Sequence, residues 1–389
     1  MGWEMVTLRD VARKTKSINP AKFPETVYAH HSIPAFDAGQ PSFEAGSEIK
    51  SSKIELADGD VLLSKIVPHI ARAWAVQAEV NGFKSIGSSE WMVFNDPRFL
   101  PDFLTHLFKS QIFRQKFMTT TAGVGGSLTR ARPKAVHLIQ IPLPPLEEQQ
   151  RIATILGTVE KAIHFSLEAL SARQLLRKSV IEKVLEQNSE APSLSLSQIA
   201  EISSGITKGR KVRPDTPLTD TPYLAVSNVK DGYLDLGTVS TIAITDHEKS
   251  RFALHDGDIL LTEGGDPDKL GRGVVWRGEI EGAIHQNHIF RCRLNEETNY
   301  NPEALMAVIS SQGSKQYFLQ CAKQTTGIAT INKTQLSKLK VPDLDSGVLN
   351  RMQEMLHKVD NEILLSHRKI ELLRELYASL SSRAFAGEL

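Results

Sequence analysis

The chain has 389 residues, 46 Lys+Arg against 45 Asp+Glu and a formal net charge of +1, a length that suggests two or three domains rather than one. Its 41% hydrophobic and 23% charged residues suit a protein with a substantial core, and the balance of charge excludes a simple basic tail as the route to a polyanion. No run of 18 apolar residues suggests a membrane span, Met1–Val6 do not read as a signal peptide, and the two cysteines, Cys292 and Cys321, are too few for a disulfide framework or a thiolate metal cluster, so a cytoplasmic protein is expected.

Residues 1–145 mix Gly, Pro and Thr with short alternating stretches and read as an α+β domain. Lys14, Lys16 and Lys22 precede His30-His31. Asp58-Gly-Asp-Val-Leu-Leu-Ser64 reads as an Asp-Gly turn feeding a strand, and Leu104 to Phe117 carry helical spacing. Gly123-Val-Gly-Gly-Ser127 leads to Arg130, Arg132 and Lys134, a cluster suited either to phosphate contact or to a solvated face. Ile141-Pro-Leu-Pro-Pro145 then blocks any helix from upstream, because proline lacks the N–H donor and fixes φ. Glu147 and Glu148 follow, where the positive end of a helix favours acids. Residues 146–190 are expected to form one long helix. Ile152, Leu156, Val159, Ile163, Ser166 and Leu170 sit on it at alternating steps of four and three, with a stumble at Arg173 and a recovery at Leu176 and Val180.

The second half repeats the first. Asp256-Gly-Asp-Ile-Leu-Leu-Thr262 matches Asp58–Ser64 at an offset of 198. Leu305, Ser311, Gln312, Gln316 and Phe318 match Leu104, Ser110, Gln111, Gln115 and Phe117 at 201, and Pro342, Arg351, Leu356, Val359, Ile363 and Ser366 match their counterparts at 200. Three blocks in one order at a nearly constant offset mark an internal duplication. Residues 191–343 thus form a second α+β domain. Its segment Gly205-Ile-Thr-Lys-Gly-Arg-Lys-Val-Arg213 carries Lys208, Arg210, Lys211 and Arg213 without an acid, a loop able to meet phosphates or set an arginine against guanine. His285-Gln-Asn-His288 offers amides and imidazoles within apolar flanks. Residues 344–389 form the second long helix, with Asp345 or Ser346 placed to cap it. Its seam, Met352, Leu356, Val359, Ile363, Ser366, Ile370, Leu373, Tyr377, Leu380 and Ala384, keeps steps of four and three throughout. A stripe this narrow suits a coiled-coil partner. Two matched stripes predict that the helices pair with each other, antiparallel because the second domain begins soon after the first helix ends. Each helix should span on the order of 55–60 Å.

The run Ile141-Pro-Leu-Pro-Pro-Leu-Glu-Glu-Gln-Gln-Arg-Ile152, closing one domain and opening a long helix, resembles the specificity subunit of type I restriction–modification enzymes. The duplicated plan resembles it over essentially the whole chain. Ile202-Ser-Ser-Gly-Ile-Thr207 and Tyr223-Leu-Ala-Val-Ser-Asn-Val-Lys-Asp-Gly-Tyr233 are similar to patterns in its recognition domains. The second copy departs from the first, since Val341-Pro-Asp-Leu-Asp-Ser-Gly-Val-Leu-Asn-Arg351 lacks the Pro-Pro-Leu-Glu-Glu-Gln run. The resemblance implies two similar target-recognition domains separated by two conserved long helices that pair as an antiparallel coiled coil, with pseudo-twofold internal duplication. It implies a non-catalytic reader of double-stranded DNA, each domain reading one half of a split, asymmetric target. Two modification (methyltransferase) subunits acting at adenine N6 would dock on the helices, and ATP-driven restriction subunits are a further partner. S-adenosylmethionine, ATP and Mg are expected in those partners, with no cofactor or metal in this chain and no membrane partner.

Two rival readings stay open at the level of sequence: a coiled-coil protein-interaction scaffold without DNA specificity, and a self-contained methyltransferase. Against the second, neither Asn-Pro-Pro-[Tyr/Phe] nor Gly-x4-Gly-Lys-[Ser/Thr] occurs. Only the first domain is basic, since residues 1–146 carry 17 basic and 13 acidic residues and residues 191–344 carry 17 and 18. Weak DNA affinity for the isolated chain is therefore expected, with the basic residues named above as candidate contacts.

Overall fold

The computed structural model describes residues 2–122, 129–213, 215–266, 270–325 and 328–389. The chain divides into two compact units, residues 1–168 with 366–389, and residues 169–365. Two helices are long, Leu146–Gln187 and Ser346–Ala386, and each contributes one part to each unit. Among the described residues no helix is long and apolar enough to cross a membrane.

In the first unit, strand Glu4–Thr7 pairs antiparallel with Gln140–Leu143 and ties the start of the domain to its end. Strand Val61–Ser64 is the centre of a three-stranded antiparallel sheet between Trp91–Phe94 and Ala73–Ala75. In a second sheet, Val27–His31 runs parallel to Phe83–Gly87 and antiparallel to Ser42–Ala45. The expected helix through Leu104 and Phe117 is two helices, Pro101–Lys109 and Gln111–Met118. Ser110 has extended dihedrals and its hydroxyl accepts from Phe113 N–H, so it ends one helix and caps the next. Phe94, Phe103, Phe108 and Phe113 from these elements fill the core.

The second unit repeats this plan. Ser193–Ser195 pairs with Lys340–Pro342. Ile259–Thr262 lies between Ile289–Leu294 and Gly273–Val275, and Thr219–Leu224 runs parallel to Ile284–His285. Helices Pro302–Ile309 and Gln312–Cys321 meet at Ser311, which again caps the second of them. The Asp-Gly-Asp repeat has one purpose in both copies. Gly59 and Gly257 take positive φ, 77° and 88°, which glycine adopts without steric cost. The next acid is buried beneath the turn. Asp60 accepts from Ala57 N–H (2.7 Å), Arg13 (2.7 Å) and Asn95 (3.0 Å), and Asp258 accepts from His255 N–H and from two nitrogens of Arg293, each at 2.7 Å.

The two long helices start differently. Gln149 is fully buried, its amide donating to Arg98 O (2.8 Å) and Pro144 O (2.9 Å) while its oxygen accepts from Leu100 N–H (2.8 Å). It locks the proline-rich segment to the domain. Its counterpart, Leu349, is apolar and equally buried. There the carbonyls are held from the domain side, with Tyr300 donating to Pro342 O (2.6 Å) and Asn299 to Leu344 O (3.4 Å), while Asp345 caps Val348 N–H (3.0 Å). Gln149→Ala leaves a buried donor and two carbonyls unpaired, and should lower the stability measured by urea unfolding by about 1–3 kcal/mol. Gln150→Ala, on the exposed side of the same turn, should change it by less than about 0.5 kcal/mol.

Candidate nucleic-acid interface and helix seam

Within the first unit, Ile152 and Leu156 of the first long helix share a core with Ala384 and Phe385 of the second, and Tyr377 and Leu380 pack against it. Within the second unit, Ile181 and Val184 share a core with Leu349, Met352 and Leu356. In both units the early residues of one helix meet the late residues of the other, so the helices run antiparallel. Ser166, Leu170, Ser366 and Ile370 are buried, and Val159, Ile163, Val359, Ile363 and Leu373 are half-buried. The two seams carry the same burial at matching positions.

The first seam departs from its expected course. Leu176 is 51% exposed and lies off it. The steps of four and three continue through Leu170, Arg173, Arg177, Val180 and Val184, with no residue inserted. Both arginines are half-buried. Arg173 donates to Glu362 (3.4 Å) and Arg177 to Asp360 (2.6 Å). Arginine tolerates a seam position because its aliphatic stem can line apolar surface while the guanidinium reaches an acid. An apolar-only template misses these residues, although their spacing alone would have found them.

The counterparts of Arg177 and Asp360 in the first unit are Tyr377 and Glu160. The Tyr377 hydroxyl is 2.9 Å from Nδ1 of His106, and Lys109 Nζ is 2.6 Å from Glu160. His106 is buried, which holds its pKa below the usual imidazole range. Burial likewise raises the Tyr377 phenol. Each unit therefore carries one polar contact set at the same level of its seam, built from different chemistry.

The candidate DNA contacts fall into three groups. Lys14, Lys16 and Lys22 are exposed. Arg130, Arg132 and Lys134 are exposed beside a short hairpin, Thr121–Ala122 with Arg130–Ala131. There Arg130 reaches Glu90 (3.1 Å) and Arg132 donates to Thr120 O (3.2 Å). The neighbouring Arg114 donates to His69 O, and Lys116 to Gln140 O (3.2 Å). The glycine-rich stretch 123–127 lies outside the described residues. In the second unit Lys208, Lys211 and Arg213 are exposed. Arg210 differs, because two of its nitrogens donate to Glu248. Glu248 also closes the capping box of helix Asp246–Phe252 through Thr245, so Arg210 tethers its loop to that helix. The guanidinium holds Glu248 well below the usual carboxylate range, at about 2.

The histidines separate in the same way. His285 is fully buried, its pKa pulled down to about 4 by burial, with Nδ1 3.0 Å from Ile289 O. His288 is exposed and donates to Glu263. His30 and His31 engage different partners, Glu44 (3.1 Å) for the first and Ala29 O (3.2 Å) for the second, whose ring lies 4.5 Å from that of Trp74.

The architecture is thus a duplicated α+β chain with two long antiparallel helices. Residues 1–170 match the family model of the type I restriction modification DNA specificity domain. The chain is 25% identical over 306 residues to the EcoKI specificity subunit of Escherichia coli (strain K12), and 24% identical over 313 residues to the StySPI specificity subunit of Salmonella potsdam. Each match covers 74% of this chain and 65% of the relative, so the chain spans just under two thirds of the length of these curated relatives. A chain from the solved structure described as the structural basis of complex assembly and conformational transition of the type I R-M system shares the fold, with a TM-score of 0.57 over 100% of this chain and 98% of that one at 18% identity. The type I S subunit from M. genitalium gives 0.57 over 99% and 96% at 12% identity. The chain is thus similar in sequence to specificity subunits of type I restriction–modification systems, and its first 170 residues match their DNA specificity domain.

The Arg210–Glu248 pair gives a pH signature. A carboxylate held at about 2 in the fold, against 4.5 ordinarily, contributes stability that is complete above 4.5 and is lost as pH falls toward 2. Arg210→Ala should remove part of that contribution. The stability difference between wild type and variant, from urea unfolding across a pH series, should hold steady above pH 4.5 and narrow below it. A difference that does not narrow would contradict the tether.

Proposed function

We propose that this chain is the non-catalytic DNA-reading subunit of a type I restriction–modification assembly in the cytoplasm. Each α+β domain reads one half of a split double-stranded target. Because the two domains differ in sequence, the half-sites differ and the target is asymmetric. The paired helices set the spacer between half-sites and dock two modification subunits, which transfer methyl groups from S-adenosylmethionine to adenine N6. Restriction subunits using ATP and Mg are the further partner.

The observation that carries this reading is the pair of antiparallel helices completing both domains, on a chain whose first 170 residues match a DNA specificity domain. Large apolar side chains stay exposed away from the seam, among them Phe165 (64%), Leu175 (68%), Leu364 (67%) and Leu365 (63%). They suit docking of partner subunits along the helices.

Methylome sequencing of a strain co-expressing this chain with its modification subunit tests the proposal. The expected result is adenine methylation at one bipartite, asymmetric motif that disappears when this chain is omitted. Absence of any such motif would favour the scaffold reading. Lengthening both long helices by seven residues keeps the seam in phase and adds about 10 Å of helix. That variant should methylate a motif with a longer spacer and both half-sites unchanged.

A further inference from the structure

The duplication allows each surface position of one unit to be compared with its counterpart on matched backbone. In the first unit Lys65 N–H donates to Glu90 O (3.1 Å), and Lys65 O accepts from Ala131 N–H (2.8 Å). In the second, Glu263 N–H donates to His288 O (3.0 Å), and Glu263 O accepts from Ile331 N–H (2.9 Å). Lys65 therefore corresponds to Glu263, Glu90 to His288, and Arg130, one residue before Ala131, to Thr330. Just inward the chemistry is kept, with buried hydroxyls at Ser64 and Thr262 and buried acids at Asp60 and Asp258. At the outward trio it is replaced, cation by acid, acid by imidazole, and arginine by threonine.

In each copy the trio converges from three separate segments. These are the end of the central strand, the turn before the next strand, and one arm of a hairpin, Arg130–Ala131 in the first unit and Ile328–Thr330 in the second. Within each trio one pair of side chains meets, Arg130 with Glu90 (side chains 60% and 26% exposed) and His288 with Glu263 (55% and 30%), while Lys65 Nζ donates to Ser89 O (2.6 Å). Exposed pairs of this kind contribute little to stability, so they open readily to a polar ligand. Two residues beyond Lys65, Val67 has a φ of 47°. That is a strained conformation for a β-branched residue, and such strain gathers at ligand sites. The counterpart of Val67, Gly265, takes no positive φ, so the strain belongs to the first copy alone.

We infer that Lys65, Glu90 and Arg130 in the first domain, and Glu263 and His288 in the second, are specificity-determining residues that meet base edges of the two half-sites. This rests on the DNA-reading function proposed above. A two-stranded ribbon fits the major groove, where lysine and arginine donate to guanine O6 and N7, and a carboxylate accepts from the cytosine amino group. The first trio offers two cations and one acid, the second an acid and an imidazole, so the two domains select different bases from one scaffold.

The test exchanges the trios in the full chain, co-expressed with its modification subunit, and reads the methylome. Lys65→Glu with Glu90→His and Arg130→Thr should change bases in one half-site only, leaving the spacer and the other half-site as they were. Glu263→Lys with His288→Glu and Thr330→Arg should change the other. Unaltered half-sites at normal methylation would overturn the inference. The single variants Arg130→Lys and Glu263→Gln guard against a misfolded triple variant. Each should alter the preference at one base position by about tenfold, within the range of one base contact, and an equal loss at every site would assign these residues to phosphate contact or structure and overturn the inference. Failure of the wild-type chain to direct any bipartite methylation would instead strike the parent proposal.

Discussion

The alternation of three- and four-residue steps along the two long helices is the constraint on which the architecture depends. A stripe so narrow cannot fill a domain face and must meet a second stripe of the same kind. With the pairing antiparallel, the start of one helix and the end of the other complete the same core. Phe103 of the first domain lies against Phe385, almost at the end of the chain, with ring centroids 5.6 Å apart. The unit built on residues 1–168 therefore needs residues 366–389, although nearly 200 residues intervene.

Duplication supplied two copies of each joint, and the copies solve the same physical problem with different side chains. The carbonyls ahead of each long helix need donors. Gln149 supplies them from the helix in one copy, and Tyr300 with Asn299 supplies them from the domain in the other. The seam needs a partner for its polar level, which is an arginine–aspartate pair in one unit and a tyrosine–histidine contact in the other. The backbone framework keeps its register while the tips of its side chains change.

What sequence reveals here depends on the distance over which each interaction acts. The duplication, the proline stops and the seam depend on spacing along the chain and could be read directly. Arg173 and Arg177 have the correct spacing but the wrong polarity for an apolar stripe, so a template that ignores polarity finds them and one restricted to apolar residues does not; the acids across from them, Glu362 and Asp360, explain why the positions tolerate charge. Gln149 looks solvated within a run of Glu and Gln, because its partners Arg98 and Leu100 come from an earlier loop. Arg210 looks like a free cation until Glu248, 38 residues on, is brought beside it. The break at Ser110 lies within an uninterrupted helical period and follows from the serine's own cap. Polar side chains whose partners are remote in sequence were the least accessible, and they account for most of the candidate site.

The pairing of the helices is tested most directly by cysteine crosslinking of the full chain. With the half-buried Cys321 replaced by serine, Arg177→Cys and Asp360→Cys are introduced together, and peptides are mapped after mild oxidation. The account predicts an intramolecular disulfide joining positions 177 and 360. A bond that forms only between molecules, or that joins position 177 to a cysteine placed at 377 in preference to 360, would show that the stripes do not meet antiparallel within one chain.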